Sequence, residues 1–278
     1  MSDNSLYFYK TFASFLEFID LDLSSSTPDS LLKEVFTLHK YSQNKTPILQ
    51  NSIVVARDQD NVIGKEGTIY WNLPKDMQNF KQDTLHSIAI MGRVTFMSLP
   101  KIKGFIKPLV KRFNVVISRY PELYYDNRLE NVQFCNNLLF VKSLNQAHIF
   151  AILLSLSDDR LNDVFDRLVD LKFNFDPQAF KDLLKTIKSS LELKENFITT
   201  IGGAEIYKLS LDKDKTLIPV TDILLTEVNF MTKPSPDSKY FTYSLEDYYE
   251  VLEDRFLFNG QNEPNFALCI KRHLKLKI

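Results

Sequence analysis

The chain has 278 residues, with 34 Lys and Arg against 35 Asp and Glu and a formal net charge of −1; no global basic field draws it to nucleic acid or to an anionic membrane. At 44% hydrophobic and 25% charged residues it is long enough for one large or two small domains, and its two cysteines, Cys135 and Cys269, make neither a disulfide framework nor a metal cluster. It holds seven glycines where ordinary usage gives about 19, which excludes Gly-rich linkers and collagen-like repeats and makes each remaining glycine a marker of special backbone.

Residues 1–47 begin with Phe12, Phe15, Leu16, Phe18 and Ile19 at helical spacing. Ser24-Ser25-Ser26-Thr27-Pro28 breaks that pattern, and Asp29-Ser30 would cap a second helix, Leu31–His39. The segment is too acidic for a mitochondrial transit peptide and does not start basic as a secretory signal does. It reads as an N-terminal helical extension of a cytoplasmic protein, packed on the main domain or docking a partner.

From Asn51 onward short apolar runs recur at Ile53–Ala56, Ile88–Met91, Val115–Ile117, Phe197–Ile201 and Ile223–Leu225. Runs of this kind are what buried strands of a parallel sheet look like, and helical stretches lie between several of them. Phe266–Ile270 is expected to add an antiparallel strand at the edge. Residues 148–196 are helical only: Leu161, Val164, Phe165, Leu168 and Val169 recur at threes and fours, as do Phe180, Leu183, Leu184, Ile187 and Leu191, with Asp176-Pro177 starting the second series. The run Ile149–Leu156 is broken at Ser155 and followed by Asp158-Asp159, far short of the roughly 18 residues of a membrane span. The expected architecture is therefore α/β: a mostly parallel central sheet flanked by helices over residues 48–278, with a helical insert and an N-terminal helical arm.

Three glycine-bearing segments carry the candidate chemistry. In the first, Val62-Ile63-Gly64 leads through Trp71 to Pro74, which opens a helix with Asp76 in its first turn. A carboxylate there is favoured by the helix dipole alone; beside Trp71, Met77 and Phe80 it also suits a pocket floor, where its two oxygens would accept two adjacent N–H donors of a heterocycle. In the second, Ile90-Met91-Gly92-Arg93-Val94-Thr95, a strand ends in a glycine and a helix begins, with Arg93 able to fork onto a phosphate. The third, Thr200-Ile201-Gly202-Gly203-Ala204-Glu205-Ile206-Tyr207, runs a strand into paired glycines and a helix. It suits a pyrophosphate but matches neither G-x-G-x-x-G nor a P-loop.

In this order, together with Trp71-Asn72-Leu73-Pro74-Lys75-Asp76, Phe96 and Leu224-Leu225-Thr226-Glu227, the motifs resemble dihydrofolate reductase over roughly residues 51–147 and 197–278. The resemblance implies an enzyme that uses NADPH to reduce dihydrofolate to tetrahydrofolate, with hydride added at pterin C6 and a proton at N5. Asp76 then matches the carboxylate that grips the pterin, Thr226 the threonine that supports it, and Trp71 the residue that orders water and closes the pocket. Val54, Val55, Met77, Phe80, Leu99, Leu109 and Ile201 match the apolar walls, although Met77, Phe80, Leu99 and Leu109 would by spacing serve equally as core. Arg112 matches the partner of the glutamate tail's α-carboxylate.

For NADPH, the resemblance implies Ala56, Ile63 and Gly64 at the nicotinamide end and Gly92, Arg93, Val94, Thr95, Ser118 and Arg119 around the phosphates. Gly202 and Gly203 match a pair joined by a cis peptide, followed by Ala204, Glu205, Ile206 and Tyr207, with Tyr207 near the nicotinamide. No metal is implied. The expected partners are dihydrofolate and antifolates such as methotrexate, bound by a monomer. Two departures stand out: Tyr70 occupies a position usually held by proline, and Phe96 one usually held by tryptophan. The insert joins the strand that ends at Gly202-Gly203, so its root is expected near the cofactor, while its body could either cover that site or point away.

Overall fold

A computed structural model describes Phe12, Phe15 and residues 49–125, 137–169, 176–194, 197–229, 235–257 and 269–277. The helix expected at Leu31–His39 lies outside these. Strand β1 (Gln50–Asp58) is followed by β2 (Val62–Gly64), helix α1 (Pro74–Asp83), β3 (Ile88–Gly92) and the short α2 (Arg93–Met97). A hairpin of β4 (Lys101–Ile102) and β5 (Phe105–Ile106) precedes β6 (Phe113–Ile117), α3 (Glu122–Tyr125) and β7 (Leu138–Val141). Three helices come next, α4 (Leu144–Ser155), α5 (Asp158–Val169) and α6 (Pro177–Ser190). The chain then forms β8 (Phe197–Gly202), α7 (Ala204–Leu211), β9 (Asp222–Val228), β10 (Lys239–Tyr240), β11 (Tyr249–Leu257) and β12 (Cys269–Leu276).

Eight strands form one sheet in the order β11-β12-β9-β1-β8-β3-β6-β7. Strands β9, β1, β8, β3, β6 and β7 pair in parallel, and β12 runs against both β9 and β11. Of the antiparallel strand expected at Phe266–Ile270, residues 266–268 lie outside the described residues, and Cys269 and Ile270 open β12, which runs on to Leu276 and has β11 outside it. The order departs from the chain order at β1, which sits between β8 and β9. Ligands of open α/β sheets bind at the carboxyl ends of such strands, and here those ends carry Ala56, Gly92, Ser118 and Gly202.

Helix α4 is apolar on all sides, with Ala147, Ile149, Phe150, Ala151, Ile152, Leu153 and Leu154 all buried. A helix apolar all round must be covered all round: β6, β7 and α7 lie on one side and α6 on the other. Helix α6 starts as its sequence predicts, with Asp176 accepting from the N–H groups of Gln178 (2.9 Å) and Ala179 (3.2 Å). Phe165 of α5 and Phe180 of α6 meet at 5.6 Å, and the N-terminal Phe12 and Phe15 are buried against them and Phe150. Phe12 and Phe15 therefore pack on helices of the insert.

The root of the insert does not lie beside the cofactor end of β8, contrary to the expectation from sequence. Its last turn and the segment after it pack at the other end of the sheet, where Leu193 and Lys194 line one small cavity with Leu49 and Ile88 and the Lys194 N–H donates to the His86 carbonyl. The reason is direction. The insert feeds the first residue of β8, whereas Gly202 is its last, and a six-residue strand separates them by roughly 17 Å.

Candidate functional site

Asp76 enters the site from the first turn of α1, which begins at Pro74 as expected. Thr226 on β9 donates from Oγ1 to Asp76 Oδ1 at 2.8 Å. Burial pushes the Asp76 carboxyl above the usual carboxylate range; the Thr226 hydrogen bond and the Lys271 charge work against that, and Asp83 reinforces it. Lys271 stands opposite Thr226 on β12 and is paired with Asp83. On the other side of Thr226, Ala56 is its neighbour on β1. Asp76 is therefore a half-buried carboxylate held by one hydroxyl and faced by one shared cation.

Val54, Phe80, Leu99, Leu109 and Ile201 meet in one cluster with the buried Met91 and Phe96. Phe96 is buried and stands edge-on to Phe140 at 5.4 Å. Leu224 joins the same cluster. Its place is readable from alternation, since Leu224 and Thr226 lie two apart on β9 and share a face. Val55 does not line this wall. As the residue after Val54 it points through the sheet to the opposite cluster, with Tyr207, Leu225 and Phe241. Met77 is 53% exposed at the open side of the cleft.

Arg112 is 2% exposed. Its Nε donates to Thr84 Oγ1 (2.8 Å), and its two terminal nitrogens donate to the carbonyls of Val110 (2.7 Å) and Lys81 (2.6 Å). These neutral acceptors aim the guanidinium without neutralising it, and burial lowers its pKa. Among the described residues no carboxylate pairs with it. The two remaining N–H groups of the fork suit an incoming carboxylate.

The glycine segments come together at the ends of β3 and β8. A Cβ on Gly202 would stand 2.6 Å from Thr95 Cγ2 and 2.7 Å from Thr95 Oγ1, and one on Gly203 would lie 3.7 Å from Gly92 Cα. Gly203 has φ +92°, which a side chain rarely adopts, and it precedes α7. The register of β3 and β8 shifts just before this point, so that Met91 pairs with Gly202. The expected cis peptide is absent: the Gly202–Gly203 bond is trans, and the turn is made by the register shift and the positive φ instead. Ile206 packs its side chain against both Gly92 and Gly203, while Ala204 and Glu205 begin the helix.

Gly92 and Ile117 pair across β3 and β6, so Arg93 and Ser118-Arg119 leave the sheet from adjacent strands. Both arginines are exposed, and among the described residues neither has a carboxylate partner. Ser118 is buried, with its N–H bonded to the Val141 carbonyl. Tyr207 donates from its hydroxyl to the Val54 carbonyl at 2.9 Å and stacks edge-on against Phe241, so its side chain braces β1; burial raises its pKa. Ile63 and Gly64 belong to β2, which pairs with β10 through Gly64 and Lys239. Trp71 packs with Leu73 and Val228 and meets Tyr70 edge-on at 4.7 Å.

A family model described as dihydrofolate reductase matches residues 50–153. The dihydrofolate reductase of Staphylococcus aureus is 30% identical over 158 residues, which are 54% of this chain and 91% of that protein. The chain belongs to the dihydrofolate reductase family. Other family members match over shorter stretches. That of Buchnera aphidicola is 36% identical over 34% of this chain and 49% of its own length, and that of Haemophilus influenzae is 44% identical over 24% and 39%. The chain thus spans half or less of these two relatives. A dihydrofolate reductase from Enterococcus faecalis complexed with NADP(H) and RAB-propyl aligns at TM-score 0.49 and 16% identity, over 82% of this chain and 97% of that one.

Proposed function

We propose that this chain is an active dihydrofolate reductase, using NADPH to convert dihydrofolate to tetrahydrofolate in the cytoplasm as a monomer. The observation that carries the reading is Asp76: a half-buried carboxylate, hydrogen-bonded by Thr226, in the first turn of a helix that borders the Val54–Phe80–Leu99–Leu109–Ile201 wall. Its free oxygen positions accept the N3–H and 2-amino group of a pterin, and the wall takes the ring faces. Arg112, aimed by Thr84 and two carbonyls, takes the α-carboxylate of the glutamate tail. Antifolates such as methotrexate, which present the same kind of N–H edge, bind in the same place.

The residues at the carboxyl ends of β3, β6 and β8 fit a dinucleotide phosphate. A Cβ on Gly202 would run into Thr95, Gly92 and Gly203 are closely packed by Ile206, the α7 amides follow, and Arg93 and Arg119 carry charges with no carboxylate partner among the described residues. Two arginines there favour NADPH over NADH through its extra phosphate. What NADPH supplies when bound is hydride, received at pterin C6. Asp76 holds the ring in register for that transfer, Tyr207 and Thr226 fix the strands beneath it, and Trp71 closes the pocket while water beside it serves N5.

The test is NADPH consumption with dihydrofolate, with and without methotrexate. Consumption that methotrexate stops supports the reading. A folded chain that binds neither compound contradicts it.

A further inference from the structure

We infer that Tyr70 is a positioning residue, whose hydrogen bond to Asp58 ties the Trp71-bearing loop to the end of β1 and holds it over the cofactor end of the cleft. Asp58 is the last residue of β1 and is buried. Its Oδ1 accepts the N–H groups of Asp60 (2.9 Å) and Val62 (2.8 Å), while its Oδ2 accepts the Tyr70 hydroxyl. One carboxylate thus clamps both the entry and the exit of the loop.

The loop between these points has little freedom of its own. Lys65 and Thr68 exchange main-chain hydrogen bonds of 2.9 Å in each direction, across a turn with Glu66 at φ 51° and Gly67 at φ 77°. The tip reaches across to α2, where Val94 Cγ1 would lie 3.6 Å from a Cβ on Gly67. Gly64 pairs with Lys239 of β10. At the far end Tyr70 stands edge-on to Trp71, with 81° between the rings, so fixing the phenol fixes the indole. A proline at this position would stiffen the loop permanently through its φ. A tyrosine bonded to a carboxylate stiffens it reversibly, through a contact that can break when ligands exchange.

This inference rests on the proposed activity, in which Trp71 closes the pocket and the loop's first residues, Ile63 and Gly64, border the nicotinamide end of NADPH. Tyr70→Phe keeps the ring against Trp71 and removes the hydroxyl. Because Trp71 is the chain's single tryptophan, its fluorescence reports the loop directly. Acrylamide should quench Trp71 more strongly in the unliganded Tyr70→Phe chain than in the wild type. The variant's Kd for NADPH should rise and its single-turnover reduction rate fall, each by about 10-fold or more, as expected for one hydrogen bond to a charged acceptor. Asp58→Asn should weaken NADPH binding likewise, and the double variant should lose no more than the worse single one. Unchanged quenching and Kd in Tyr70→Phe, or additive losses in the double variant, would overturn the inference. Quenching needs no turnover, so a wild-type chain inert toward dihydrofolate counts against the activity alone.

Discussion

The Thr226 hydroxyl donates to Asp76 Oδ1 at 2.8 Å, joining β9 to the first turn of α1 across 150 residues of chain. Removing that donor leaves burial as the dominant influence on the carboxyl, whose pKa already stands above its ordinary value. Thr226→Val should therefore move the acid limb of the kcat/KM pH profile to higher pH and lower kcat/KM about 10-fold or more at neutral pH, the scale of one hydrogen bond to a charged group. An unshifted profile would show that Asp76 does not govern it.

Asp76 also carries a stability cost. Its carboxyl pKa is higher folded than unfolded, so the folded chain binds protons more readily and the charge is destabilising above both values. That penalty fades as pH falls through the folded pKa. Asp76→Asn should consequently raise the melting temperature at neutral pH, by about 2–4 °C for each 1 kcal/mol relieved in a chain of this size. Calorimetry at neutral and mildly acid pH checks it, with the gain shrinking at the lower pH.

Arg112 separates two roles. Arg112→Gln should raise the KM for dihydrofolate by about 10-fold or more, since a carboxylate partner is lost. Toward a pterin substrate without the glutamate tail, variant and wild type should have similar KM values. Equal losses for both substrates would mean that Arg112 serves only to brace Thr84 and the Lys81 carbonyl.

At the glycine junction, Gly202→Ala puts a methyl group into Thr95, and Gly203→Ala imposes φ +92° on a residue with a side chain. Strain of that kind costs about 1–3 kcal/mol. Both variants should weaken NADPH binding measured by Trp71 fluorescence more than they weaken dihydrofolate binding.

His148 lies wholly buried on α4, accepting the Ile218 N–H at Nδ1 (3.4 Å), and burial pushes its pKa down to about 3. The folded pKa is below the unfolded value of 6.5, so the unfolded chain takes up the proton first. Stability falls as pH drops from 6.5 toward 3, by at most about 1.4 kcal/mol per unit from this group. His148→Asn, which keeps an acceptor near the Nδ1 position, should flatten urea unfolding energies over pH 6.5 to 4.

Much of this was legible in the chain. Buried strands announce themselves as apolar runs, so β1, β3, β6, β8 and β9 could be placed, and Pro74 and Asp176-Pro177 marked helix starts correctly. β11 escaped because an outer strand need not be apolar; its Glu250, Val251, Leu252, Glu253 and Asp254 are all exposed. Lys271, Thr84 and Asp58 escaped because their importance lies in contacts with residues far along the chain, which no local pattern encodes. The root of the insert was misplaced for a related reason: proximity in sequence to Gly202 ignored the length of the intervening strand. Phe180 tests the corrected position. Phe180→Ala should cost about 3–5 kcal/mol of stability while leaving the KM for NADPH unchanged.

The central claim stands or falls on initial rates of NADPH oxidation with dihydrofolate for the wild-type chain and Asp76→Asn, each shown to be folded by circular dichroism. The account predicts turnover by the wild type, inhibited by methotrexate, and a loss of about 10²-fold or more in kcat/KM for Asp76→Asn. No turnover by the folded wild-type chain, or an Asp76→Asn variant as fast as wild type, would contradict it.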